Sequence, residues 1–124
     1  LTECGPPALL TDKGILLLYN GKNRVDDKRD TRFPAGTYSA GQLLFDAHNP
    51  GKVIGRLDVP FFRPMDNFEK SGQYKDGTVF IEGLVFFKGK WFLYYGCADS
   101  LVGVAIFDPS KKTSGDPLPK NTEA

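Results

Sequence analysis

Apolar, β-branched and aromatic residues occur along this chain in short runs separated by clusters of Gly, Pro, Asn and Asp. That texture is the signature of short strands, and no window carries the spacing of a capped amphipathic helix. The pattern predicts strands at 8–11, 15–19, 38–45, 53–56, 78–81, 84–87, 91–95 and 102–107. Asp12-Lys13-Gly14 and Lys88-Gly89-Lys90 each interrupt two such runs and offer a glycine for a positive backbone dihedral, so each closes a tight hairpin.

The two hairpins belong to an internal repeat. Gly14-Ile-Leu-Leu-Leu-Tyr-Asn-Gly21 matches Gly89-Lys-Trp-Phe-Leu-Tyr-Tyr-Gly96, and Ala40-Gly-Gln-Leu-Leu-Phe-Asp46 matches Val102-Gly-Val-Ala-Ile-Phe-Asp108. The first match sets an offset of 75 residues and the second 62, which places an insertion of 13 residues in the first copy, between Lys22 and Thr37. A hairpin followed by a third strand and a strand ending in Phe-Asp makes a four-stranded antiparallel sheet of the kind used as a propeller blade. Two such blades cannot close a ring, since rings hold about four to eight. The organisation expected is a blade at 1–60 with a long charged loop at 22–37, a connection at 61–77, a second blade at 78–108 and a C-terminal tail at 109–124. The alternative is a self-contained β-sandwich in which the repeat reflects only the sameness of hairpins.

Composition narrows the function classes. The chain has 124 residues, 16 Lys+Arg against 15 Asp+Glu, 40% hydrophobic residues and 14 Gly, which excludes disorder and collagen. A net charge of +1 gives no field for a nucleic-acid backbone. Apolar stretches stay far below the roughly 20 residues of a membrane span, so no membrane partner is expected and the chain reads as soluble, its compartment (bacterial-type cytoplasmic or periplasmic) undecided. The chain opens on Leu1 with no basic leader or apolar signal core, as a processed or partial chain does. Cys4 and Cys97 read as buried free thiols. One histidine, His48, and no CxxC leave a His/Cys metal site without ligands, and no cofactor is implied.

His48 sits in Asp-Ala-His-Asn-Pro as a turn residue, so proton transfer falls to carboxylates, and glycoside cleavage is the reaction that runs on a carboxylate pair. Glu82 stands out within Val79-Phe-Ile-Glu-Gly-Leu-Val-Phe-Phe87, apolar on both sides. It reads as a desolvated acid lining a ring axis, or as an architectural partner for an Arg of a neighbouring blade. Asp99, in Tyr94-Tyr-Gly-Cys-Ala-Asp-Ser100, follows a strand directly and reads as a binding group or an Asx turn. Glu3 precedes the first hairpin, a candidate only if that end of the blade faces the site and otherwise a surface charge. Asp46 and Asp108 occupy matching turn positions, and Glu69 and Asp76 are expected to be exposed on the connection. The charged insertion is a solvated loop, or a lid or oligomer contact.

The ordered set Cys4-Gly-Pro-Pro-Ala-Leu-Leu, Gly14 to Gly21, Tyr38 to Asp46, Pro50-Gly-Lys-Val-Ile-Gly-Arg56, Phe68-Glu69 with Gly72, Val79-Phe-Ile-Glu-Gly83 and Tyr94-Tyr-Gly-Cys-Ala-Asp99 resembles the C-terminal part of glycoside hydrolase family 130. The resemblance implies an all-β chain of about two antiparallel four-stranded blades from a five-bladed β-propeller that acts on β-mannosides by inversion. It implies that Phe80 and Asp99 hold the mannosyl unit, an oligosaccharide being the partner. The phosphorylase branch carries a Lys four residues before Gly-Pro-Pro and a His inside Tyr-His-Gly, and Leu1 and Asn20 stand there. Glu82 and Glu3 replace small residues of that branch, so the resemblance makes them candidates for activating water, and places Asn20 at the substrate-binding position. The family's early catalytic Asp has no counterpart here, so the chain alone is expected to be inactive, its remaining blades supplied by an N-terminal part or by self-association. Three functions follow for test: a β-mannoside hydrolase, a phosphorylase of the same family, and a non-catalytic carbohydrate-binding or structural half-propeller.

Overall fold

Two-residue turns set the frame. Asp12 and Lys13 close strand β2 (Leu9–Thr11) onto β3 (Gly14–Lys22), which also pairs along the same edge with β1 (Thr2–Cys4). On its other edge β3 pairs with β4 (Tyr38–Phe45), and β4 pairs with β5 (Val53–Arg56), all antiparallel. The segment 57–78, with a 3-10 turn at Asn67–Glu69, leads to a second sheet, β6 (Val79–Phe87), β7 (Lys90–Cys97) and β8 (Leu101–Phe107), whose first two strands are joined at Lys88 and Gly89. The structure, a computed structural model, describes residues 1–111; of the expected tail at 109–124, residues 112–124 lie outside them.

The expected strands at 78–81 and 84–87 form one strand, β6, with Glu82 as an unpaired bulge residue, so the second sheet has three strands among the described residues. The repeat also needs a correction of one residue. Ile15 pairs with Phe45 as Trp91 pairs with Phe107, and Tyr19 pairs with Gly41 as Tyr95 pairs with Gly103, giving offsets of 76 and 62. The glycines used to align the copies are not equivalent: Gly14 follows its turn, whereas Gly89 lies inside its own. Because side chains alternate faces, that slip exchanges inside for outside.

The corrected register fixes how the sheets stack. The core comprises Leu18 and Ala40 of the first sheet and Val79, Ile81, Leu93, Tyr95 and Cys97 of the second. On β3 the face turned inward carries Leu18 and Asn20, while on β7 it is the face equivalent to Leu17, Tyr19 and Gly21. Opposite faces of the same unit therefore meet, a head-to-tail contact that leaves one face open on each sheet. On the second sheet that outer face exposes Val102, Val104 and Ile106, at 80%, 46% and 58%. The sandwich alternative, which would cover its apolar faces within itself, is not what the chain builds.

Two polar side chains lock the stack. Asn20 is 1% exposed; its amide donates to the Ile81 carbonyl at 3.0 Å and accepts from the Ile81 N–H at 2.7 Å. Ile81 is on an edge strand, so without Asn20 these groups would be buried and unpaired. Glu69, expected on the surface, is 2% exposed: Oε2 accepts from the N–H groups of Met65 and Asp66 at 2.7 and 2.9 Å, and Oε1 accepts from the Tyr95 hydroxyl at 2.8 Å. Three donors compensate the charge that burial would otherwise expel. Of the cysteines, Cys97 is buried but Cys4 is exposed on β1, against expectation, because that short strand has no cover on either side; both are free.

Two outcomes follow. Asn20→Ala is expected to lower unfolding free energy by about 2–4 kcal/mol in urea titration, since it orphans a buried donor and a buried acceptor; a loss below about 0.5 kcal/mol would contradict the clamp. Burial first, and then the bond to Glu69, raise the Tyr95 phenol above its ordinary value. A raised folded value means stability is fully present below the unfolded phenol's value of about 10 and is lost as pH rises through the folded one. Burial raises the Cys97 thiol with the same sign, beginning near 8.5. Tyr95→Phe is expected to cost about 1.5–3 kcal/mol at neutral pH and to flatten the decline of the urea midpoint above pH 10.

Candidate functional site

The tight turns at 12–13 and 88–89 lie at one end of the stack, and the residues with chemistry gather at the other. There the Tyr38 N–H donates to the Gly77 carbonyl at 3.0 Å and Tyr38 bridges Thr78, tying the start of β4 to the start of β6. Glu3 pairs with Asn20 and Phe80 with Gly96, so by the repeat Glu3 and Phe80 occupy equivalent positions on the first strands of their sheets. Just beyond, both copies break: the first between β1 and β2 at residues 5–8, the second at the Glu82 bulge. A bulge re-aims one side chain out of the alternation, which is how Glu82 escapes the apolar setting its neighbours suggested.

Asp99 lies in the β7–β8 turn, where Ala98 and Asp99 take φ of +47° and +54°. Consecutive left-handed residues are costly without glycine and persist only where the surroundings impose them. Here the connecting segment does so. The Ala98 N–H donates to the Thr78 carbonyl at 3.3 Å, the Tyr74 N–H donates to the Ala98 carbonyl at 3.0 Å, and the Gln73 N–H donates to Ser100 Oγ at 3.0 Å. Asp99 is left exposed at the tip, its carboxylate free of hydrogen bonds to the described residues.

Beside this turn stands an aromatic group. Phe80 meets Tyr38 edge-on at 5.9 Å, Tyr38 meets Tyr74 at 5.5 Å, and Lys22 Nζ lies 5.6 Å from the centroids of both tyrosine rings. A hydrogen bond with Tyr74 is the main cause that raises the Lys22 ammonium above its ordinary value. The Tyr74 hydroxyl donates to the Gly36 carbonyl at 2.7 Å, and Thr37 Oγ1 donates to the Asp76 carbonyl at 2.8 Å, so the connection also anchors the charged loop. Inside that loop the Asn23 side chain bonds the backbone of Asp30, Phe33 and Pro34, and Arg24–Asp26 and Asp30–Arg32–Asp58 pair on its surface. It is exposed but internally ordered.

Of the expected site residues, Glu3, Phe80 and Asp99 share this end with Glu82 one step deeper along β6. Glu82 is exposed and makes no ion pair among the described residues. The buried amide of Asn20 is committed to the Ile81 backbone rather than presented to a substrate. His48, Asp46 and Asp108 are turn residues: Asp46 accepts from the N–H groups of His48 and Asn49, and Asp108 from that of Ser110. Tyr74 and Lys22 have no site role in the sequence reading; for Glu69, expected on the surface, the signal for its buried bonds is the Asp66-x-x-Glu69 spacing of a capping box. A cleft of about 180 Å³ lies elsewhere, on the open face of the first sheet beside Tyr19, Gly21, Gly41 and Pro60, and contains none of these acids.

Comparison with known proteins places this geometry. The family model described as β-1,4-mannooligosaccharide phosphorylase, that of glycoside hydrolase family 130, matches residues 1–111. A β-1,2-mannobiose phosphorylase of Thermoanaerobacter sp. (strain X514) is 35% identical over 107 residues, covering 86% of this chain and 32% of that protein. A glycosyl hydrolase structure from Bacteroides ovatus is 67% identical with a TM-score of 0.84, covering 95% of this chain and 32% of its own. A second structure, described with the family of mannoside phosphorylases that contains glycoside hydrolases targeting β-1,2 mannosidic linkages in Candida mannan, is 66% identical with a TM-score of 0.87, covering 94% of this chain and 32% of its own. The chain thus spans about a third of the length of these relatives. No helix among the described residues is long and apolar enough to cross a membrane. With 111 residues matched in one family model and both sheets superimposed on its solved members, the chain belongs to glycoside hydrolase family 130.

Proposed function

We propose that this chain is the C-terminal part of a β-mannoside-cleaving enzyme that transfers the mannosyl group to water, with Glu82 and Glu3 as candidates for the activating base and Asp99 and Phe80 holding the sugar. The observation that carries the reading is the loss of cations where phosphate would be received: the two positions hold Leu1, an apolar side chain, and Asn20, whose amide is buried and bonded to Ile81. Carboxylates in their neighbourhood repel phosphate and accept a proton from water, the division of labour an inverting hydrolase needs. The exposed bulge position of Glu82 leaves its carboxylate available for that task, and the ordered Asp99 turn beside Phe80 offers an acceptor and an apolar ring to one pyranose. The leaving-group acid, the missing walls of the pocket and closure into a five-bladed ring belong to the rest of the enzyme.

Phosphorolysis is the second reading, favoured by the names of the curated relatives and by Lys22, a cation retained beside Tyr38 and Tyr74 on the same rim. Product analysis separates the two. With the full-length enzyme and a β-1,2-linked mannobiose, hydrolysis yields mannose at a rate indifferent to inorganic phosphate; mannose 1-phosphate formed in proportion to added phosphate would select phosphorolysis instead.

Glu82→Gln is expected to lower kcat by about 10²–10⁴-fold with the fold intact. Retention of near-normal turnover would remove Glu82 from the base role and transfer attention to Glu3, tested by Glu3→Gln in the same assay.

A further inference from the structure

The turn that presents Asp99 is held from outside itself. Ala98 and Asp99 are consecutive left-handed residues with no glycine between Cys97 and Leu101, a conformation that a free hairpin would leave. Within the turn the Ser100 N–H donates to the Cys97 carbonyl at 3.0 Å and Ser100 Oγ donates to the Ala98 carbonyl at 3.2 Å. The other bonds come from the connection 57–78, and two routes through it meet at Glu69. Thr78 accepts the Ala98 N–H on its carbonyl at 3.3 Å and donates its own N–H to the Glu69 carbonyl at 2.8 Å. The Thr78 hydroxyl is buried with no partner among the described residues, so Thr78 links Glu69 to the turn through its backbone. By the second route Glu69 Oε1 accepts from the hydroxyl of Tyr95, on the strand that runs into the turn, at 2.8 Å. Oε2 meanwhile takes the N–H groups of Met65 and Asp66, which fixes the Glu69 backbone itself. The connection also lies directly against the turn: a Cβ at Gly72 would fall 2.7 Å from the Ala98 carbonyl oxygen.

We infer that Glu69 is a positioning residue for Asp99: its buried carboxylate, holding the 65–69 turn through one oxygen and Tyr95 through the other, sets where the Asp99 carboxylate stands and thereby how tightly the enzyme holds the mannosyl unit. This rests on the reading of Asp99 as a sugar-holding group. Glu69 does not touch the sugar, since it is buried and both of its oxygens are taken. It acts because a carboxylate accepts well from a hydroxyl only within about 2.5–3.0 Å and near-linear geometry, so a small displacement of the turn forfeits the bond. Among the connection residues that bond the Asp99 hairpin, Gln73 is exposed and Tyr74 half-buried, whereas Glu69 is buried and reaches the hairpin by both backbone and side chain. The inference is the same whether water or phosphate receives the mannosyl group.

Competitive inhibition by mannose, measured on the full-length enzyme cleaving β-1,2-linked mannobiose, tests it. The inhibition constant reads the grip on the sugar and is independent of how much of the enzyme is folded, whereas a purely structural defect lowers turnover per mole of protein and leaves that constant where it was. Asp99→Asn is expected to raise the constant at least about tenfold. Glu69→Gln, which can still accept the backbone N–H groups but offers Tyr95 an amide in place of a carboxylate, is expected to raise it about 3–10-fold, and to change it less than about twofold when added to Asp99→Asn, because no carboxylate is then left to place. Hydrogen exchange of the 96–101 segment in the same enzyme is expected to accelerate in Glu69→Gln. Should that variant fail to fold, Tyr95→Phe, which removes one arm of the contact, is expected to move the constant and the exchange in the same directions. A constant or an exchange rate unmoved by these variants while Asp99→Asn raises the constant, or full additivity of Glu69→Gln with Asp99→Asn, would overturn the inference and leave the reading of Asp99 standing. A constant indifferent to Asp99→Asn would overturn that reading, and with it the effect on the sugar assigned to Glu69.

Discussion

An unpaired strand edge facing a neighbouring sheet is the constraint on which this structure turns. β6 begins its sheet, so half of its backbone groups look away from their own ladder. Asn20 meets them with one amide, donor to carbonyl and acceptor to N–H, and in doing so fixes both the separation of the sheets and their register along the strands. Hydrophobic contact among Leu18, Ala40, Val79 and Ile81 is non-directional and tolerates sliding; a paired amide does not.

The connection 57–78 is the second consequence of that arrangement. It caps the interface from the side, with Phe62 and Glu69 closing over Tyr95, and then reaches the far rim to hold the Asp99 turn in its left-handed conformation through Gln73, Tyr74 and Thr78. Packing, charge compensation and presentation of an exposed carboxylate are therefore carried by one segment. A substitution at Glu69 would be felt at Asp99 through this shared backbone, although the two side chains do different things.

Much of the fold was legible because period-two alternation and turn chemistry are local. The strands at 38–45 and 53–56 coincide with β4 and β5, and both tight turns fall where glycine marks them. The register of the repeat was misjudged by one residue because glycine serves two purposes, following a turn at Gly14 and forming one at Gly89, and sequence similarity does not distinguish them. The exposure of Glu82 on β6 has a related cause: alternation places every residue of a strand on a face, and a bulge exempts one. Glu69 was read as exposed because its three donors, two from backbone N–H groups and one from a tyrosine in another element, leave no trace in composition. Asp99 stands out by its place directly after a strand and Phe80 by the family resemblance, and the structure brings them to one rim.

Amide hydrogen exchange at Ile81 addresses the central constraint most directly. With Asn20 accepting from it, the Ile81 N–H is expected to exchange only through global unfolding, with a protection factor that tracks the stability of the whole chain in urea. Exchange of Ile81 at the rate of a solvent-facing edge amide, unaffected by low denaturant, would contradict the clamp and with it the head-to-tail stacking of the two sheets.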